Sequence, residues 1–149
     1  MRAALALVLV LALGVGACGG DTKTKNSYVE KVNKAQSDFV AVVDDSETRI
    51  QGNASNQETA TQLNMIRAAA AKVVVELQGI KPPGNVRTLH ATLVKEAQGL
   101  VAAFKKAADA YDSSNPARIL QAKVDLGNDI DKVNGQLNAT ITQLNNKLH

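Results

Sequence analysis

Aromatic side chains are scarce in this chain, with no Trp, two Tyr and two Phe among 149 residues. Without large rings a core must be filled by aliphatic side chains. The 45 % apolar share therefore predicts an Ala-, Val-, Leu- and Ile-packed interior of slender helices at close range. A single cysteine, Cys18, excludes an internal disulfide framework and the Cys-x-x-Cys-His attachment of a covalent haem. Two histidines, His90 and His149, neither preceded by Glu at the Glu-x-x-His spacing, exclude the paired motif of di-iron bundles. Charge of one sign is also lacking. The formal net charge of +3, which falls by one if Arg2 leaves with a leader, is too small and too interspersed for a nucleic-acid partner. The apolar run from Ala3 to Val15, about 13 residues, is short of the roughly 20 that a spanning helix needs.

That run follows Met1-Arg2 and closes on Val15-Gly16-Ala17-Cys18, after which Gly19-Gly20-Asp21-Thr22-Lys23 turns polar at once. Its length and its small-residue end have the layout of a secretory signal. Val15-Gly16-Ala17-Cys18 resembles the lipobox of bacterial lipoproteins, with Val15 at the position where Leu is usual and Gly16 and Ala17 at the small positions. The resemblance implies cleavage between Ala17 and Cys18, with acyl chains on Cys18. Two such chains make a durable membrane anchor where one does not. Gly19 to Asn26 carries nothing apolar to bury and reads as a flexible tether, with Lys23 and Lys25 near the lipid surface, where each would gain about 1 kcal/mol from anionic headgroups.

Beyond the tether, four segments show helical periodicity. Ser27-Tyr28-Val29-Glu30 fits a capping box. Behind it Tyr28, Val32, Ala35, Phe39, Val42, Ser46 and Arg49 recur at spacings of four and three, with Val43 and Ile50 widening the stripe. Ser55-Asn56-Gln57-Glu58 is a second box, ahead of Leu63, Ile66, Ala70, Val73, Leu77 and Ile80. Pro82-Pro83-Gly84 breaks the chain, since proline lacks the amide and disfavours helix in the residue before it. A third stripe runs through Val86, Leu89, Leu93, Ala97, Leu100, Phe104, Ala107 and Tyr111. A fourth, begun by Asn115-Pro116, runs through Ile119, Val124, Leu126, Ile130, Val133, Leu137, Ile141, Leu144 and Leu148. The predicted organisation is a signal peptide over 1–17, a lipidated Cys and tether over 18–26, and a bundle over 27–149. Its helices fall near 27–51, 55–79, 84–111 and 116–147. Short connections make neighbours antiparallel, giving an all-α, up-down-up-down four-helix bundle. The segment Ile80-Lys81-Pro82-Pro83-Gly84-Asn85-Val86-Arg87-Thr88-Leu89-His90 is similar to a hinge of small helical lipoproteins of Gram-positive bacteria, many of them uncharacterised.

Catalytic chemistry finds no footing in this pattern. No Ser lies in a Gly-x-Ser-x-Gly turn, no glycine-rich phosphate loop is present, and the calcium-loop spacing is missing around Asp44-Asp45-Ser46-Glu47 and Asp125, Asp129 and Asp131. Met65 and His90, both beside seam positions, are the one pair of haem-ligand types, and the commoner roles for them are gap-filler and bystander. Asn53-Ala-Ser55 and Asn138-Ala-Thr140 match a glycosylation tripeptide, a pattern frequent by chance. The last helix is amide-rich on its outer side. Gln136, Asn138 and Gln143 are the residues that a partner surface there would use, and Gly127 and Gly135 would allow close helix approach at about 1 kcal/mol each relative to Ala. The expectation is a non-enzymatic binding or structural module on the extracytoplasmic face of a membrane, with an envelope protein or polymer as partner, no nucleic acid and no cofactor. The alternative is a carrier of a small apolar ligand or metal within the bundle.

Overall fold

The computed structural model describes residues 20–50 and 54–149. The leader, Ala17 and Cys18 lie outside them. Four helices follow in order, α1 (Gly20–Ile50), α2 (Asn56–Gly79), α3 (Arg87–Asp112) and α4 (Pro116–Leu148), with a single 3-10 turn over Gly84–Val86 ahead of α3. Among the described residues there is no strand, and the architecture is an all-α four-helix bundle. One end of it gathers the start of α1, the end of α2, the start of α3 and the end of α4. Tyr28, Leu77 and His90 meet there, and Asn85 reaches Lys147.

The helix boundaries follow their local chemistry. Ser55 caps α2 reciprocally with Glu58: the Glu58 N–H donates to Ser55 Oγ at 3.2 Å and the Ser55 N–H donates to Glu58 Oε2 at 2.7 Å. At the other end of α2 the Ile80 backbone turns extended, and its N–H closes on the Leu77 carbonyl at 3.0 Å. Asn115 Oδ1 accepts from the N–H groups of Ala117 and Arg118, and Pro116, needing no donor, opens α4. Ser114 adopts φ 51° in the connection before it, the one non-glycine residue with positive φ among the described residues.

The start of α1 differs from the expectation. The helix begins at Gly20 rather than Ser27, so Ser27 and Glu30 lie inside it and the stretch from Gly20 to Asn26, expected as tether, is helical. Helix propagation is far cheaper than nucleation. A stripe of buried residues from Tyr28 onward fixes the nucleus, and nothing between Gly20 and Asn26 breaks the extension backwards.

Tyr28, Val32, Ala35, Phe39, Val43 and Ser46 of α1 are buried, whereas Val42 and Ile50 are half-buried and Arg49 is exposed, so the stripe runs through Val43 and Ser46 rather than through Val42 and Arg49. Val124, expected on the α4 seam, is 55 % exposed; Ile119, Ala122 and Leu126 carry that stretch instead. Each fully buried Val, Leu or Ile of these stripes contributes about 1.5–3 kcal/mol relative to exposure. The core cluster runs from Tyr28 to Leu148 and draws on all four helices, so the described residues carry a four-helix core of their own.

Glycine packing also departs from expectation. A Cβ at Gly127 or Gly135 would meet nothing within 4 Å, so neither mediates a close helix approach. That role falls to Gly99, where a Cβ would stand 3.3 Å from Val133 Cγ2 across the α3–α4 contact. The three sequential helix pairs pack directly. The pair that would complete the ring, α1 and α4, approaches less closely. Between them, walled also by α2 and α3, lies an apolar cavity of about 50 Å3 lined by Val32, Phe39, Leu93, Leu137 and Ile141 among others.

Candidate functional site

The end of the bundle where α1 starts carries a cleft of about 860 Å3, built from three elements: the first turns of α1, the Ile80–Pro83 exit of α2, and the turn leading into α3. Its charged lining is Lys23 and Lys31 from α1, Lys81 from the connection and Arg87 from the first turn of α3. All four are exposed, and no Asp or Glu is among the lining residues. Elsewhere some of the cations stand in ion pairs. Lys34 pairs with Asp38 at 2.8 Å, Arg49 with Asp45 at 2.9 Å, Lys105 with Asp109 at 2.6 Å and Lys106 with Asp125 at 2.5 Å. Among the described residues none of the four cleft cations makes such a pair. What sets the cleft apart is that four cations line one concavity with no carboxylate among its lining residues.

Its walls are held rigidly. Two consecutive prolines fix the chain leaving α2, and Val86, fully buried, plugs the turn that follows while its N–H donates to the Pro83 carbonyl at 3.1 Å. Asn85 Nδ2 donates to the Lys147 carbonyl at 2.6 Å, tying the same turn to the end of α4. The 3-10 turn and α3 both start without a side-chain cap, unlike α2 and α4.

Beneath the cleft a buried polar tie joins three helices. His90 Nε2 lies 3.0 Å from the Leu77 carbonyl, and His90 Nδ1 lies 3.2 Å from the Tyr28 hydroxyl. A carbonyl oxygen can only accept, so Nε2 carries the proton and donates to Leu77. The neutral ring then offers Nδ1 as acceptor, and Tyr28 O–H donates to it. The same Leu77 carbonyl also accepts from the Ile80 N–H, so both its lone pairs are used. The rings meet edge to face, with centroids 5.6 Å apart and planes at 67°. Burial pushes the Tyr28 phenol up to about 12. His90 is held below its ordinary value, mainly by burial, with the bond to the Leu77 carbonyl acting in the opposite direction. Both groups are therefore neutral at pH 7, and the tie fixes the α1 wall of the cleft against α2 and α3.

The residues singled out from sequence fall elsewhere. Met65 is 45 % exposed on α2 while His90 is 7 % exposed with both ring nitrogens engaged, so the two do not form a haem-ligand pair. Gln136, Asn138 and Gln143 are all exposed on α4. At about 100° per residue Gln136 and Gln143 share one flank, whereas Asn138 projects from the flank opposite. They do not form one patch. Among the described residues no group of three or more His, Cys, Asp or Glu is placed to hold a metal ion. Glu96, half-buried between α3 and α4, accepts from Thr140 Oγ1 through Oε1 at 2.9 Å while its Oε2 has no partner. Burial raises its pKa, and the Thr140 bond works against that rise.

Sequence reasoning did not assemble the cleft, because its cations are spread from residue 23 to residue 87. The signal was nonetheless available. In an up-down-up-down bundle the start of α1, the end of α2 and the start of α3 share one end, and the charges nearest those three points are predominantly basic. No protein-family model matches the chain, and no curated protein or solved structure matches it either.

Proposed function

We propose that the chain is a lipoprotein anchored through Cys18 on the extracytoplasmic face of a bacterial membrane, its helical bundle serving as a non-enzymatic binding or structural module of the cell envelope. The observation that carries this reading is the Val15-Gly16-Ala17-Cys18 box after an apolar leader of signal-peptide length, with α1 already helical at Gly20, the first described residue. Among the described residues no helix is long and apolar enough to cross a membrane. On this reading attachment depends on the acyl chains of Cys18, and two of them suffice for durable binding. The intact mass and detergent-phase partition of protein from its native host, beside a Cys18→Ser variant, test it. Loss of residues 1–17 with a gained diacylglyceryl or triacyl mass, and partition abolished by the substitution, is the expected result. A soluble, unacylated product cut elsewhere would refute the anchor.

A second reading, a carrier of a small apolar ligand, is favoured by the apolar cavity lined by all four helices. At about 50 Å3 it is well below the roughly 150 Å3 of a void that admits benzene, so loading would require the cavity to widen. Native mass spectrometry of the protein from its host separates the two readings. A carrier shows a bound apolar mass that a Leu137→Phe substitution, filling the cavity, displaces.

A further inference from the structure

We infer that the basic cleft at the start of α1 is a phosphate-binding site that takes the headgroup of an anionic phospholipid from the membrane in which the chain is anchored. The inference rests on the anchored reading for its geometry. Cys18 and the first described helical residue, Gly20, are separated by Gly19 alone, a reach of no more than about 7 Å. With so short a link the bundle cannot stand off on a tether, as the longer expected linker would have allowed. The end of the bundle facing the lipid is the end that carries the cleft. Lys23 follows Gly20 by about one turn of helix, roughly 4.5 Å, and so lies on the order of one Debye length, about 8–10 Å, from the headgroup layer.

The chemistry of the cleft matches that neighbour. Lys23, Lys31, Lys81 and Arg87 line it with no carboxylate among them, and none is compensated by an ion pair among the described residues. A volume of about 860 Å3 admits a glycerol-phosphate headgroup, being of the size of a small-molecule pocket rather than of a protein interface. Lysines place point charges about an ionised phosphate, and Arg87 adds a planar fork that can bond two of its oxygens. Because the Tyr28–His90–Leu77 tie and the Asn85–Lys147 bond hold the walls, the site is formed before any ligand enters. Binding there would fix the tilt of the bundle on the membrane, which two flexible acyl chains cannot do.

The test uses residues 19–149 without acyl chains, the part that contains the four-helix core, so that the cleft is measured apart from the anchor. Sedimentation with phosphatidylcholine vesicles is compared with sedimentation with vesicles carrying 30 % phosphatidylglycerol. The proteins are the unsubstituted segment, a cleft variant (Lys23→Gln, Lys31→Gln, Lys81→Gln, Arg87→Gln) and a control losing four charges elsewhere (Arg67→Gln, Lys95→Gln, Arg118→Gln, Lys132→Gln). Circular dichroism establishes that each is helical and unfolds cooperatively. Each cation close to such a surface is worth about fivefold in binding. The expected result is preference for the anionic vesicles, reduced at least tenfold in the cleft variant and less than threefold in the control. Equal losses in the two variants would reduce the effect to net charge and overturn the site. Absence of any preference for phosphatidylglycerol, with calorimetric binding of soluble glycerol phosphate that the cleft variant abolishes, would give the site to soluble phosphate esters and overturn the lipid assignment. If Cys18 proves unacylated in the host, the anchor fails while the vesicle result stands, so the two failures are distinguishable.

Discussion

Replacing Tyr28 by Phe removes one oxygen from the core and nothing else, and its cost follows from the tie with His90. The ring is 2 % exposed and keeps its packing. What disappears is the hydroxyl donor 3.2 Å from His90 Nδ1, and that nitrogen, on a side chain 7 % exposed, is left without a partner. Orphaning a buried acceptor costs about 1–3 kcal/mol. For a domain of this size that corresponds to a Tm lower by about 4–10 °C. A His90→Gln variant then tests the tautomer assignment through pH. The folded pKa of His90 is lowered from the ordinary 6.5, so the unfolded chain binds the extra proton more readily than the folded one. The stabilisation is therefore complete above about pH 6.5 and is lost as pH falls from there toward the folded pKa. Glu47 and Glu96, both raised mainly by burial, act with the opposite sign, since their contribution is lost as pH rises through the folded pKa from the ordinary 4.5. Comparing Tm between pH 7.5 and 5 in the parent and in His90→Gln isolates the histidine: the parent loses more stability on acidification than the variant does. Equal pH slopes, or a Tyr28→Phe change under 1 °C, would refute the assignment of His90 as a neutral acceptor.

Gly127→Ala and Gly135→Ala meet open space in a helix, so each should raise stability by about 0.5–1 kcal/mol in denaturant unfolding; Gly99→Ala, pressed on Val133 Cγ2 at 3.3 Å, should gain less or lose. Ser46 is fully buried and its hydroxyl has no partner, so Ser46→Ala should leave stability unchanged or raise it, whereas a loss above about 1 kcal/mol would point to an unrecognised acceptor. Ser55→Ala dismantles the reciprocal cap of α2 and should lower Tm by about 3–5 °C, with amide exchange accelerating first in the turn from Asn56 to Thr59.

How much of this was legible in sequence depends on the range of the interaction concerned. Helix existence and handover points were local matters. Ser55 with Glu58, Asn115 with Pro116, and Pro82-Pro83 each fix a boundary through hydrogen bonds a few residues long, and the 3.6-residue periodicity of Leu63, Ile66, Ala70 and Leu77 needed no partner to be seen. The start of α1 was misplaced because Ser27-x-x-Glu30 is a valid cap signal that a longer helix simply runs through. Val124 was misassigned for a related reason. Two apolar residues near one edge of a stripe compete for the core, and only the neighbouring helix decides which is covered.

The sequence by itself determined that this is an all-α bundle of four helices with an aliphatic core, because amphipathic period, caps and prolines act through near neighbours along the chain. Only the tertiary structure decided that His90 is buried between Tyr28 and Leu77, that Gly99 rather than Gly127 or Gly135 marks the close helix contact, and that four cations from α1, Lys81 and the start of α3 share one cleft. Each of those depends on which helix faces sit across from one another and how far apart their axes lie. Periodicity along a single helix leaves both free. Packing of side-chain volumes between helices sets them.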